Sequence, residues 1–135
     1  MNATTTVAAL LDAENVRDLR AMEQLLDPAV TFEMPFAPGG DMSVTGRDQL
    51  LALLSASLDA ENGTFVDWRL DVSALYETST PGVVFAEYAA EAVTRFGMTY
   101  RQAYVARFSV RGGSVTWWRE WFNPEPLAAV MSETA

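Results

Sequence analysis

The stretch SVTWWREWFNPEP, residues 114–126, carries the strongest fold signal in the chain. It has the composition of a β-strand in which almost every side chain is large and apolar or aromatic. Because side chains alternate across a strand, Trp118, Glu120 and Phe122 are expected to share one face. Both faces of this strand are apolar, so we expect both to pack against other parts of the protein. Glu120 then lies between two aromatic residues, where an unpaired carboxylate is costly, and this makes it a candidate for chemistry.

The composition predicts one soluble, cytoplasmic domain spanning residues 1–135. Half of the residues are hydrophobic, 20% are charged, and the formal net charge is −9. A chain of this length can bury a core without disulfide staples. The negative charge argues against nucleic acid and against anionic membranes, which are bound by clusters of Lys and Arg. No apolar run has the length of a membrane span, and the N-terminal segment does not resemble a signal peptide.

Three missing residue types narrow the possible chemistry. The chain contains no Cys, no His and no Lys. Thiol catalysis, Ser-His-Asp catalysis, the common zinc sites and Schiff-base chemistry are therefore excluded. Proton transfer must use Asp, Glu, Tyr or Arg, and we expect neither a metal ion nor a cofactor.

The pattern of apolar residues predicts helices first and strands afterwards. Two helices are predicted before residue 28, a short strand over residues 29–36, and a third helix after Thr45, which resembles a helix N-cap. Four strands follow from Phe65 onwards, joined by turns that contain Gly. This order predicts an α+β domain in which curved strands enclose a cavity against the helices.

Three segments resemble the nuclear transport factor 2-like superfamily and, within it, the SnoaL-like branch. They are FEMPFAPGG with VTGRDQL (residues 32–50), AEYAAEAVTRFGMTYRQAYVARFSV (residues 86–110) and WWREWFNPEP (residues 117–126). The last of these is similar to the corresponding segment of phenazine-biosynthesis proteins. The resemblance implies a cone-shaped, curved antiparallel or mixed sheet packed on three N-terminal helices. It also implies small-molecule ligands and relatives that include polyketide cyclases, isomerases, dehydratases and epoxide hydrolases.

The resemblance further implies roles for particular positions. Glu120 occupies the place of the acidic residue that serves as acid or base in relatives. In relatives that hydrolyse epoxides, an Arg and an Asp stand near the positions that Glu87 and Ala89 occupy here. Because this pair is missing, epoxide hydrolysis is the less favoured reaction. An epoxide-opening enzyme that uses Glu120 with Glu91 stays open as a third interpretation.

Alternation matched to the family then predicts a set of site residues. We expect the catalytic residues to be Glu120, Tyr104 and Glu91. The expected substrate-binding residues are Gln102, Trp68, Phe108, Trp118, Phe122 and Glu87. The structural alternatives are a buried salt bridge from Glu120 to Arg101 or Arg107 and outward orientation of Glu87 and Glu91, because an error of one residue reverses a strand's faces.

Beside the weaker epoxide-opening interpretation, two functions remain open from the sequence. The first is a cofactor-independent acid/base enzyme acting on a small apolar or aromatic carbonyl compound, of the isomerase, cyclase or dehydratase (lyase) type found in secondary metabolism. The second is a non-catalytic protein of the same fold that binds a small ligand or supports assembly. Trp117 and Trp121 lie on the opposite face of the last strand, and such an apolar patch predicts a homodimer through the outer face of the sheet.

Overall fold

The computed structural model describes residues 2–133, which form four helices and a six-stranded sheet. The helices are α1 (Ala3–Asn15), α2 (Leu19–Leu25), α3 (Arg47–Leu58) and α4 (Pro124–Glu133). The strands are β1 (Leu26–Met34), β2 (Met42–Thr45), β3 (Phe65–Glu77), β4 (Val83–Thr94), β5 (Thr99–Arg111) and β6 (Ser114–Phe122). The predicted α+β class is confirmed. Strand β2 and helix α4 were not predicted, and Thr45 ends β2 while Gly46 caps α3.

The strands lie in the order β2-β1-β6-β5-β4-β3. Neighbours are antiparallel except for β1 and β6, which run parallel, so the sheet is mixed. Gly112 and Gly113 have φ values of 57° and 80° in the turn between β5 and β6, a conformation that glycine adopts without steric cost. Beyond a register shift between Ser109 and Val110, Ala106 lies opposite Glu120.

The hydrophobic core lies between the helices and one face of the sheet, here called the inner face. Leu10 and Leu11 of α1 are fully buried there, together with Leu50 of α3 and with Phe108 and Trp118 of the sheet. Each such side chain stabilises the fold by roughly 1.5–3 kcal/mol through burial. Among residues 2–133, no helix is both long enough and apolar enough for a membrane crossing.

Hydrogen bonds connect the C-terminal end of α1 to β3. They fix the position of Glu14, which directly precedes the last helical residue, Asn15. Oδ1 of Asn15 accepts a hydrogen bond from the backbone N–H of Leu70 at 2.8 Å. Arg17, which has a φ of 59°, donates from Nη1 to the carbonyl oxygen of Phe65 at 3.3 Å. Helix α1 therefore ends against the inner face of the sheet, and Glu14 is held inside the protein.

Candidate active site

A cavity of about 350 Å³ lies between the inner face of the sheet and helices α3 and α4. Its aromatic walls are formed by Phe32, Phe65, Trp68, Tyr100, Tyr104 and Phe122. Aliphatic side chains from α3, α4 and the β1–β2 region complete it, among them Leu54 and Met131. Because Met131 is 55% exposed, the cavity reaches the protein surface beside α4. Its size and largely apolar lining are typical of a small-molecule site.

Glu120 lies on the wall of this cavity and is held by a tyrosine on the next strand but one. Its carboxylate accepts a short hydrogen bond from the hydroxyl of Tyr88, and Nε1 of Trp118 donates to that hydroxyl at 3.3 Å. The side chain is only 6% exposed. Burial raises the pKa of Glu120 to about 7, although the hydrogen bond from Tyr88 acts in the opposite direction. Glu120 can therefore exchange a proton near neutral pH.

Glu14 is a second buried carboxyl group on the wall of the same cavity. It is 7% exposed, and its Oε1 has no hydrogen-bond partner among residues 2–133. Burial raises its pKa well above the ordinary value, and the nearby charge of Glu120 raises it further. Within the described chain no three acidic side chains are grouped as a metal site would require. The cavity thus carries two carboxyl groups, and burial raises the pKa of both.

Two tyrosine hydroxyls add hydrogen-bonding capacity to the cavity wall. The hydroxyls of Tyr100 and Tyr104 are 2.8 Å apart and share a hydrogen bond. The ring of Tyr104 also stacks on that of Tyr88, with 5.1 Å between centroids. Burial raises the pKa of both cavity tyrosines, so each keeps its proton. A ligand oxygen in the cavity could accept a hydrogen bond from this pair.

The structure brings part of the predicted site together. Glu120, Tyr104, Trp68 and Phe122 all line the cavity. The alternative of a salt bridge from Glu120 does not apply, because its partner is the hydroxyl of Tyr88. The roles proposed for these side chains stay predictions.

The predicted inward orientation of Glu87 and Glu91 is wrong. On β4 the buried residues are the even-numbered ones, such as Tyr88 and Ala90, and the odd-numbered residues face outward. Glu91 forms a salt bridge with Arg69 at 3.3 Å, and Glu87 accepts a hydrogen bond from Tyr76 at 2.7 Å. Neither carboxylate can reach the cavity through the sheet, so neither belongs to the candidate site.

Three other residues expected to bind substrate have structural contacts instead. Gln102 faces inward, but its Nε2 donates to the carbonyl oxygen of Asn123 at 2.7 Å and so anchors the start of α4. Phe108 and Trp118 are almost completely buried, and their ring centroids are 5.4 Å apart. None of the three is on the cavity wall described above.

The sequence interpretation missed Glu14, Tyr88 and Tyr100. Glu14 has a signal, because it continues the spacing of Val7, Leu10 and Leu11 on the apolar face of α1. Tyr88 was not predicted, because the odd-numbered residues of β4 were expected to face inward and Tyr88 belongs to the other face. Tyr100 also has a signal, because alternation along β5 places it on the same face as Gln102 and Tyr104.

The chain belongs to the SnoaL-like domain family, whose model matches residues 7–118. The uncharacterized protein YesE of Bacillus subtilis is 24% identical over 110 residues, which are 80% of this chain and 72% of YesE. The crystal structure of a candidate isomerase from the same species has a TM-score of 0.79 and 20% identity, covering 96% of this chain and 92% of that one. The crystal structure of a phenazine biosynthesis-related protein from Pseudomonas aeruginosa has a TM-score of 0.78 and 19% sequence identity, covering 95% of this chain and 79% of that one.

These comparisons confirm the predicted family and fold. The SnoaL-like superfamily includes isomerases, cyclases and epoxide hydrolases, so membership leaves the reaction open. The matched segment contains Glu14 and Tyr88 but ends at Trp118, before Glu120. Glu120 is therefore a candidate because it lines the cavity, and not because of the family match.

Proposed function

We propose that this protein is an acid/base enzyme that moves a proton on a small apolar or aromatic carbonyl compound, with Glu120 as the proton carrier. The observation that supports this most directly is the pair of buried carboxyl groups on one apolar cavity wall. Burial raises the pKa of both groups, that of Glu120 to about 7. Carboxyl groups tuned in this way are typical of acid/base sites.

The proposed step is proton abstraction next to a carbonyl group. The ionised carboxylate of Glu120 takes a proton from the carbon beside the carbonyl, and the electron pair of that C–H bond forms an enolate. The hydroxyl of Tyr104 donates to the enolate oxygen and is itself supported by Tyr100. Returning the proton from Glu120 to a different carbon completes an isomerisation. Elimination or ring closure from the same enolate gives the lyase and cyclase reactions of secondary-metabolism type.

Neutral Glu14 provides a second proton donor in this scheme. Its pKa lies well above the ordinary value because of burial and of the charge of Glu120. When Glu120 takes up a proton, its negative charge is lost and Glu14 becomes easier to ionise. The two carboxyl groups can therefore exchange roles during turnover.

A test needs a carbonyl probe and a matched carboxyl control. We suggest 3-cyclohexenone, whose conversion to the conjugated ketone is followed by ultraviolet absorbance. Glu120→Gln should lower the rate by at least about 100-fold, because it removes the base and keeps the shape. Glu91→Gln is the control, because Glu91 lies on the outer face, and it should act as wild type.

Two results would contradict the proposed reaction. One is a wild-type rate no higher than that in buffer, which would favour the non-catalytic ligand-binding alternative. The other is equal turnover by wild type and Glu120→Gln, which would exclude Glu120 as the proton carrier.

We also propose that the protein is a homodimer that associates through the outer face of the sheet. Val105 is 42% exposed on this face and Phe36, beside it, is 55% exposed. Trp121 pairs with Val105 across the β5–β6 ladder and stacks on Phe85. Light scattering at micromolar concentration should give the mass of a dimer, and Val105→Arg should give a monomer. A wild-type monomer under these conditions would contradict the proposal.

A further inference from the structure

The cavity wall has carboxyl groups but no cationic side chain, and this points to the class of ligand. Glu14 and Glu120 are its only lining residues of the Asp, Glu, Arg, Lys or His type among residues 2–133. Both side chains are more than nine-tenths buried, and Oε1 of Glu14 lacks a hydrogen-bond partner within the described chain. A buried carboxylate is normally paired with a cation, because its desolvation is otherwise uncompensated.

The protein's own cations are committed elsewhere. The chain has no Lys and no His, so the nine arginines are its only cationic side chains. Those with contacts in residues 2–133 bind backbone carbonyls, outer-face carboxylates or an indole ring: Arg17, Arg47, Arg69, Arg95, Arg101, Arg107 and Arg119. The other two, Arg20 and Arg111, are exposed at the surface. No arginine lines the cavity in this part of the chain.

The remaining walls suit a cation as well. The aromatic rings of the cavity present π-faces, which attract ammonium groups, and Trp68 is the strongest type of ring for this contact. The titratable neighbours of the carboxyl pair are Tyr88, Tyr100 and Tyr104. Burial raises the pKa of all three, so they stay neutral and add no positive charge.

We infer that the natural ligand of this cavity, the apolar or aromatic carbonyl compound of the proposed function, also carries an amine that binds in its protonated form. Its ammonium group supplies the cation that the Glu14–Glu120 pair lacks, and its hydrocarbon part fills the aromatic walls. The inference deepens the proposed function and rests on it in one respect, since it takes the same cavity as the ligand site. It also excludes carboxylic acids as ligands, because a further negative group beside Glu120 would have no cationic partner in the cavity.

The test is a series of three indole probes that differ in charge. Tryptamine carries the ammonium group, tryptophol is the neutral counterpart, and indole-3-propionate is the anion. By isothermal titration near pH 7, tryptamine should bind at least about tenfold more tightly than tryptophol, and the anion should not bind. Equal or tighter binding of tryptophol, binding of the anion, or no binding of tryptamine at millimolar concentration would each overturn the inference.

A proton count gives an independent readout. The bound ammonium favours the ionised carboxylates, so tryptamine binding should release protons to the buffer. Titrations in two buffers with different ionisation enthalpies measure this release, and tryptophol should show none. Glu120→Gln and Glu14→Gln should each reduce the preference for tryptamine to about threefold or less, whereas the control Glu91→Gln should keep it. Unchanged preference in both cavity variants would overturn the inference.

The outcomes separate this inference from the proposed reaction. Isomerisation of 3-cyclohexenone without any amine preference would overturn the ligand class alone. Amine preference and proton release without isomerisation would overturn the reaction and leave the ligand class in place.

Discussion

The pKa of Glu120 has a direct consequence for folding stability, which the variant Glu120→Gln exposes. Burial raises this pKa from an ordinary value of 4.5 to about 7. Below pH 4.5 the carboxyl group is neutral in the folded and in the unfolded protein, and it contributes nothing to the pH dependence. As the pH rises, the unfolded protein releases the proton first, so the folded state loses stability until the folded group also ionises.

The size of this loss follows from the two pKa values. Because the pKa rises from 4.5 to about 7 on folding, the free energy of unfolding should be about 3 kcal/mol lower at pH 8 than at pH 4.5. Glu120→Gln lacks the titrating group, so its free energy of unfolding should fall less over this range. The substitution has a fixed cost, because the buried amide N–H groups need acceptors, but a fixed cost does not change with pH. Between pH 4.5 and 8, the difference in free energy of unfolding between wild type and Glu120→Gln should therefore change by about 3 kcal/mol, in the direction that favours the variant.

Urea unfolding followed by tryptophan fluorescence, at steps between pH 4.5 and 8, measures this quantity. Glu91→Gln is the matched control, because Glu91 is exposed and its ion pairs with Arg69 and Arg101 are weak. Its curve should run parallel to that of the wild type within about 0.5 kcal/mol. Parallel curves for wild type and Glu120→Gln over the whole range would refute the argument that burial has raised this pKa.

Further variants test the other contacts of the site. Tyr88→Phe removes the hydrogen bond that lowers the pKa of Glu120, so the rising limb of the pH–rate profile should move to higher pH; an unchanged limb would contradict this. Leu54→Trp fills the cavity, and tryptamine affinity should fall at least about tenfold while the thermal midpoint changes little. Phe108→Ala should lower the free energy of unfolding by about 3–5 kcal/mol. Because Phe108 is core and not cavity wall, turnover per folded molecule should stay within about threefold of wild type.

The strands next to the C-terminus could be predicted well from the sequence. The alternation of large residues around Glu120 is strong, and a tight Gly-Gly turn links its strand to β5. Tyr104 and Phe122 were therefore placed on the correct face. Short-range alternation was sufficient here, because the register runs unbroken from Tyr104 opposite Phe122 to Ser109 opposite Trp117; the one shift, between Ser109 and Val110, lies closer to the turn.

The faces of β4 were reversed although the sequence contains a warning. The inward set predicted by family matching included two glutamates, Glu87 and Glu91. The other set, which contains Tyr88, Thr94 and four small or aliphatic residues, has no charged member and is the one that is buried. Burying two carboxylates without partners is costly because they lose their hydration. The composition of the two faces therefore favours the one without charged residues.

The pairing of Glu14 with Glu120 could not be predicted. A sequence pattern can show that Glu14 lies on the apolar face of α1, but not which strand it meets. That contact depends on the ties from Asn15 and Arg17 to β3, and on the curvature of the sheet. Tertiary geometry of this kind is not contained in local periodicity.

The measurement that tests the central claim most directly is a ¹³C NMR titration of the glutamate carboxyl groups, with Glu120→Gln and Glu14→Gln used to assign the signals. We predict one carboxyl resonance that titrates near pH 7 and is lost in Glu120→Gln. A second resonance, lost in Glu14→Gln, should titrate well above the ordinary range of glutamate. If both groups titrate near 4.5, as exposed glutamates do, then no buried carboxyl pair exists in the cavity and the account is wrong.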